Sequence, residues 1–414
     1  AGSCGPCRFG MYEAEFRRAL AQAGFPGLRV LVIQQRRGLD QTGGDGETAF
    51  ERPFVVALVR ALMLGDLLNE LGHALRPYEV RPGAVDEALE EGRRWLYWAL
   101  RDRENAVPVL RRVRRRLDQV ELDYLRVKPK VKITGEFWAQ TTEGDGSYHL
   151  ARWLEQEGAE VLVEPVGTWV EYLLWNRLRR ARDRLGLREG GPDAYSARLE
   201  MRLRLGQVLF DSAYNAYRAA LGFRTEPLAS IETLARYADA YYNTRIEGGE
   251  AFMEVAKTIF SVRRRKAHMV VSIKPFGCLP STQSDGVQVK VMGDHPDLLF
   301  VSVETTGDGE VHVQSRIQMI LSEAREHARR EFAETASRLG LAAALADETQ
   351  RARLPRPSAT TPLPRRETGT AANYLWWLGR PAVLRALPLP TEALAELLRR
   401  PRRAPGPGAG EGGD

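Results

Sequence analysis

VKITGEFWAQTTEGDGSYHLARWLEQEGAEVLVEPVG, residues 131–167, carries the alternation that decides the fold. Residues 131–134 (VKIT) are a short apolar run of strand type, 148–158 place apolar side chains at helical spacing, and 161–164 (VLVE) are a second strand-type run. A strand–helix–strand order within so short a span is the signature of a parallel pair. Toward the carboxyl end, long helical stretches cover 169–187 and 194–221, with shorter ones to about 262. Two more strand-type runs follow, 269–273 (MVVSI) and 299–303 (LFVSV), and then one long polar helix over 311–339. Short apolar strands alternating with helices predict an α/β protein whose parallel sheet is covered on both faces.

Toward the amino end, residues 8–24 read as an amphipathic helix stopped by Gly24 and Pro26. Residues 28–35 (LRVLVIQQ) are strand-like, 38–46 form a Gly-rich loop, and helical patterns continue from about 54 to 125. The expected organisation is a helix-rich domain over 1–128 and an α/β domain over 129–340. The chain opens at Ala1 with a motif already under way, so the first domain is expected to lack an upstream strand. Pro, Arg and Thr dominate 351–370, which reads as a linker. Residues 371–400 are expected to dock back as a helical segment, and 401–414, rich in Gly and Pro, to be a disordered tail.

Among 414 residues, 43% are hydrophobic and none form an apolar run of about 18 or more, which argues for globular domains and against a membrane span. No secretory leader is recognisable. Three cysteines in so long a chain make no disulfide framework and point to reduced thiols, hence a cytoplasmic protein. The net charge of +6 is concentrated in arginine clusters at 111–116, 263–266 and 399–403. These read as solvated helix faces and a basic tail, or as a docking surface for an acidic partner or ligand phosphates such as those of coenzyme A. No nucleic-acid reading motif accompanies them.

In an open parallel sheet, ligands bind beyond the carboxyl ends of the strands. The four strand ends lead into Gly135-Glu136-Phe137-Trp138, Glu164-Pro165-Val166-Gly167, Pro275-Phe276-Gly277-Cys278 and Glu304-Thr305-Thr306-Gly307. Such residues are ordinary turn chemistry one loop at a time; four such rims together predict a cleft. Cys4-Gly5-Pro6-Cys7 sets two thiols on one turn at a helix start, where thiolate is favoured. The pair suits either a redox dithiol or half of a metal site. Cys278, far along the chain at a strand end, favours an iron–sulfur cluster on Cys4, Cys7 and Cys278, with one iron left open to substrate. A thiol–disulfide oxidoreductase using Cys4 and Cys7, and a zinc site, stay as alternatives, and Cys278 alone could be a small buried hydrophobe. Glu136 and Glu304 are candidate acid–base groups at the rim, Glu143 reads rather as a helix cap, and His149 as a packing or surface histidine. Glu250 fits an acidic first helical turn or a cleft carboxylate. Trp138, Trp153, Trp169 and Trp175 are expected in the core.

The runs Cys4-Gly5-Pro6-Cys7-Arg8-Phe9-Gly10, Thr134-Gly135-Glu136-Phe137-Trp138-Ala139-Gln140, Gly248-Gly249-Glu250-Ala251 and 272–281 (SIKPFGCLPS) resemble the 2-hydroxyacyl-CoA dehydratase family, in particular the carboxyl-terminal region of its large activase-related proteins. The resemblance spans about residues 2–330 and comprises several motifs in order. It implies Rossmann-like parallel sheets in two domains, with a [4Fe–4S] cluster, or a double-cubane variant, in the cleft between them. The ligands would be Cys4, Cys7 and Cys278; on charge grounds, the negative cluster would be met by backbone N–H groups at the helix starts and by nearby basic residues such as Arg8 and Lys274. It further implies anaerobic, radical chemistry: a separate ATP-hydrolysing activase supplies one low-potential electron, and the substrate is a 2-hydroxyacyl-CoA thioester or a small molecule. A second related subunit or a second copy of the chain is the expected partner. This chain carries no phosphate-binding GxxxxGK[ST] loop, so the ATP step would lie elsewhere. A non-catalytic electron-transfer or scaffold subunit is the other reading within the same system.

Overall fold

The computed structural model describes residues 12–28, 30, 52–185, 195–246, 250 and 252–381. Four strands, β1 (Lys130–Gly135), β2 (Glu160–Val163), β3 (Met269–Pro275) and β4 (Leu299–Thr305), form one sheet in the order β2-β1-β3-β4. All three pairings are parallel, with Val131 opposite Val161 and Met269, and Lys274 opposite Glu304. The helices are α1 (Tyr12–Gln22), α2 (Arg52–Leu75), α3 (Ala84–Arg101), α4 (Ala106–Leu117), α5 (Phe137–Thr141), α6 (Leu150–Gln156), α7 (Val166–Asp183) and α8 (Ala197–Ala220). They continue as α9 (Ile231–Ala238), α10 (Phe252–Arg263), α11 (Leu279–Asp294), α12 (Glu310–Arg338), α13 (Ala342–Ala346), α14 (Glu348–Ala352) and α15 (Thr370–Leu378). The α/β class and the parallel sheet read from residues 131–167 are thus present.

Side chains alternate across a strand, and each face of this sheet meets its own helices. Val131, Ile133, Val271, Ile273 and Val303 bury against Leu150 and Leu154 of α6 and Ile317 and Leu321 of α12. The opposite face carries Val270 against Phe252, Val255 and Ile259 of α10, with α7, α9 and Val291 of α11 alongside. All but the last residue of β3 are buried, as a central strand covered on both faces requires.

A third apolar cluster joins α2, α3 and α4 to Tyr214 and Leu221 near the end of α8, and to Tyr374 and Leu375 of α15. Residues 52–128 therefore share their core with later segments rather than closing one among themselves. The largest difference from the sequence reading lies at 351–370. Instead of a solvated linker, the stretch from 357 onward is a strap laid into this core. Ala359 and Thr360 are fully buried, and the Thr360 amide and hydroxyl both donate to Asp118, at 3.0 and 2.7 Å. Asn373 then ties the strap to α15 by accepting from the amides of Arg366 and Glu367 and donating to the carbonyls of Glu367 and Gly369. Proline and threonine look linker-like in composition, yet here Thr360 and Asn373 are buried with partners of this kind. The strand-like 28–35, the Gly-rich 38–46 and the tail 401–414 lie outside the described residues.

Candidate functional site at the sheet rim

The chain leaves β1 toward β2 on one side and returns to β3 on the other. Between the carboxyl ends of β1 and β3 it therefore makes a topological switch, where the following segments diverge and leave a crevice. After β1 comes α5, bordering the α6 face; after β3 comes α11, on the α10 face. Gly135 closes β1 with φ +121°, and a Cβ there would lie 2.1 Å from the Ile273 carbonyl oxygen. Only glycine permits this approach, which brings the Glu136 amide within 2.8 Å of the same carbonyl.

Cys278 sits at this crevice. It occupies the cap position of α11, with its amide 3.2 Å from the Pro275 carbonyl and its own carbonyl accepting from the Thr282 amide and hydroxyl at 2.9 and 2.7 Å. The residue is half-buried, and the positive end of a sixteen-residue helix dipole begins at its carbonyl. Trp138, in the segment after β1, and Phe276 and Leu279, in the segment after β3, are apolar side chains at 53, 74 and 47% exposure. Trp138 is thus at the surface and not in the core, while its neighbour Phe137 on α5 packs on Trp169 of α7 at 4.8 Å between ring centroids. Trp153, Trp169 and Trp175 are half-buried.

Beneath the crevice, the α10 face of the sheet is charged. Lys132 meets Glu164 at 2.5 Å, Lys257 meets Glu250 at 3.2 Å, and Lys274 is ion-paired with Asp285. Ser272 donates to Glu254 at 2.5 Å and Ser302 to Asp285 at 3.0 Å. Burial pushes the Glu254 carboxyl up to about 7, although Lys274 and Ser272 oppose the shift. Glu250 is likewise raised by burial. Burial would raise Glu164 as well, but Lys132 and Lys257 outweigh it and hold that carboxylate at about 2. Three ammonium groups face four carboxyls, and a proton on Glu254 balances the set.

Several expected residues take other roles. Glu136, favoured as an acid–base group, caps α5 by accepting from the Ala139 amide at 2.9 Å, and burial raises its carboxyl. Glu143, expected to cap, instead lies 3.5 Å from His73. The two are exchanged because α5 begins directly after β1 and needs its cap at 136. Lys274, expected beside a cofactor, is wholly buried and committed to Asp285. Glu304 is exposed at the end of β4. His149 is an exposed residue 3.1 Å from Asp145. Glu250 lies at the start of α10, its carbonyl accepting from the Met253 amide at 2.9 Å, and its carboxylate is a buried ion-pair partner of Lys257. Cys4, Cys7, Arg8, Gly248 and Gly249 lie outside the described residues. The network of Ser272, Glu254 and Asp285 went unread, though the polar alternation Lys132–Thr134 and Ser272–Lys274 inside apolar strands was its signal.

Among the described residues, no group of three or more His, Cys, Asp and Glu is placed to hold a metal. No family model, no curated protein and no solved structure matches the chain. Among the described residues, no helix is long and apolar enough to cross a membrane.

Proposed function

We propose that this chain holds an oxygen-sensitive [4Fe–4S] cluster on Cys4, Cys7 and Cys278 and is the cluster-bearing component of an ATP-driven low-potential reductase or dehydratase system. The reading rests on the position of Cys278 at the switch-point crevice, together with the ordered motifs shared with the 2-hydroxyacyl-CoA dehydratases. Cys278 fits the role: it is half-buried, at a helix start, and lies between the apolar residues Phe276 and Leu279 in the sequence. Such a cluster, when bound, supplies one-electron chemistry, received from a separate ATP-hydrolysing activase. Trp138, Phe276 and Leu279 would shield the site. The buried lysine–carboxylate network would hold β1, β3 and α11 in fixed relation, so that Cys278 keeps its place. A 2-hydroxyacyl-CoA thioester or a related small molecule is the substrate class the resemblance suggests.

The test is anaerobic purification followed by iron and acid-labile sulfide analysis and EPR of the reduced protein. Iron and sulfide in near-equal amounts, lost in Cys278→Ser while the circular dichroism spectrum is retained, is the expected result. Metal-free protein with a titratable Cys4–Cys7 redox couple would replace the reading with a thiol–disulfide oxidoreductase. A cluster whose EPR signal ignores added acyl-CoA would mark a non-catalytic electron-transfer subunit.

A further inference from the structure

Away from the sheet rim, α7, α8 and residues 228–236 enclose a cavity of about 720 Å³, within the size range of small-molecule sites. Its lining follows from helix spacing. Glu171, Trp175, Leu178 and Arg182 recur every three or four residues along one face of α7, and Arg204, Val208 and Asp211 do so along α8. The two helices run antiparallel: Arg182, near the end of α7, is ion-paired with Glu200, near the start of α8, whereas Glu171 feels the charge of Asp211. On the third wall, Leu228 packs beside Gly167 and the Glu232 charge acts on Arg182, so 228–236 runs the same way as α7.

The two ends of the cavity differ in charge. At one end Glu171 is 8% exposed, and its Oε1 is buried without a hydrogen-bond partner among the described residues. Burial pushes its carboxyl up to about 7, Asp211 adds to the shift, and Gln207 opposes it. Asp211, itself exposed, is raised by the partial burial of its carboxyl. No basic side chain counters either shift, so two carboxyls share this end without a cation. At the other end, Arg182 and Arg204 both hold Glu200, Arg204 Nε at 2.9 Å, and keep that carboxylate at about 2. Arg179 lies over the Trp175 ring at 4.7 Å and donates to the Thr244 carbonyl and to Asn176. Arg236 donates to the Glu232 carbonyl and the Thr233 hydroxyl at 3.3 and 3.2 Å. Asp183, on the same turn as Arg182, is taken by Arg245 at 3.2 Å. Four guanidiniums thus meet Glu200 and Glu232, an excess of positive charge. Trp175, Leu178 and Val208 form an apolar stretch between the ends, and Glu171 and Arg179 are about 12 Å apart along the helix axis. A simple anion would leave the carboxyl end unmatched, and a simple amine the arginine end. A divalent metal would lack a third protein ligand among the described residues. A long molecule with an amine at one end and an acid at the other matches both.

We propose that this cavity binds an elongated zwitterion, an ω-amino carboxylate, with its ammonium beside Glu171 and Asp211 and its carboxylate among the arginines. The site uses no residue of the proposed cluster site, and its test needs no turnover. The intact chain is titrated calorimetrically with 8-aminooctanoate at about pH 8, where Glu171 is ionised. Octanoate, n-octylammonium and 8-hydroxyoctanoate at matched ionic strength are the controls. Expected is saturable binding of 8-aminooctanoate, about tenfold tighter than that of any control. Glu171→Gln, and separately Arg204→Gln combined with Arg236→Gln, should each weaken it about tenfold. Glu326→Gln, on the exposed face of α12, should bind as wild type. Arg204 and Arg236 are both exposed, so their double variant carries the test even if Glu171→Gln fails to fold. Absence of saturable binding, any control binding as tightly as 8-aminooctanoate, or unchanged affinity in either cavity variant would each overturn the proposal.

Discussion

Replacing Gly135 by alanine should damage this protein far more than any other single added methyl group, and the structure sets the scale. The new Cβ would lie 2.1 Å from the Ile273 carbonyl oxygen and 2.6 Å from the Ile273 nitrogen. Both are backbone atoms of the central strand β3, so no side-chain rotation relieves the contact. Relief requires β1 and β3 to part, at about 1–3 kcal/mol for overpacking of this kind. The φ of +121° adds about 1–3 kcal/mol for a residue with a Cβ. Parting the strands also weakens the Glu136 amide bond to Ile273, worth about 1 kcal/mol. The sum, about 3–7 kcal/mol, is comparable with the whole stability of many domains. Urea denaturation followed by far-ultraviolet circular dichroism measures it. Gly144→Ala is the control, since Gly144 has an extended φ of 171° and nothing within 4 Å of an added Cβ. A Gly135→Ala protein within about 1 kcal/mol of wild type would refute the argument that this close approach shapes the crevice.

Glu254 should make stability fall as pH rises. Its carboxyl is pushed from 4.5 up to about 7 in the folded chain, so between those values the folded state holds a proton that the unfolded state releases. The contribution is fully present below about 4.5 and is lost as pH passes through about 7, amounting to a few kcal/mol at most. Glu254→Gln should flatten the dependence of the urea midpoint on pH across that window; an unchanged slope would show that Glu254 titrates normally. Asn373→Ala should cost about 2–4 kcal/mol, because it strips partners from two amides and two carbonyls in the strap. Equal denaturation midpoints for variant and wild type would place the strap outside the cooperative unit. Lys274→Met should destabilise by about 3–5 kcal/mol by stranding Asp285, whereas the double change Lys274→Met with Asp285→Leu should recover most of the loss; a double variant no better than the single one would mean the pair is not the unit. Trp138→Ser with Phe276→Ser should leave the midpoint within about 1 kcal/mol, both side chains being more than half exposed, and, under the proposed cluster function, should speed oxidative loss of iron in air. Iron retained as in wild type would deny these side chains a shielding role.

Local pattern alone determined the order of elements. The apolar runs near 131, 161, 269 and 299 became strands, and the periodic stretches between them became helices, because strand and helix periods are properties of neighbouring residues. It also marked the loop that carries Cys278. What it could not supply was anything that depends on which distant groups meet. Whether Lys274 is a free cation or a buried ion pair turns on Asp285, eleven residues later and on another element. Whether Glu136 or Glu143 caps α5 turns on the residue at which β1 ends. The switch point itself, with Gly135 pressed against Ile273, exists only because β3 inserts beside β1 after more than a hundred intervening residues. Composition misread 351–370, since solvation of prolines and threonines is decided by the core they lie on and not by their own chemistry. Tertiary packing alone chose those partners, because burial makes an unmatched charge or amide too expensive to leave where the sequence happens to put it.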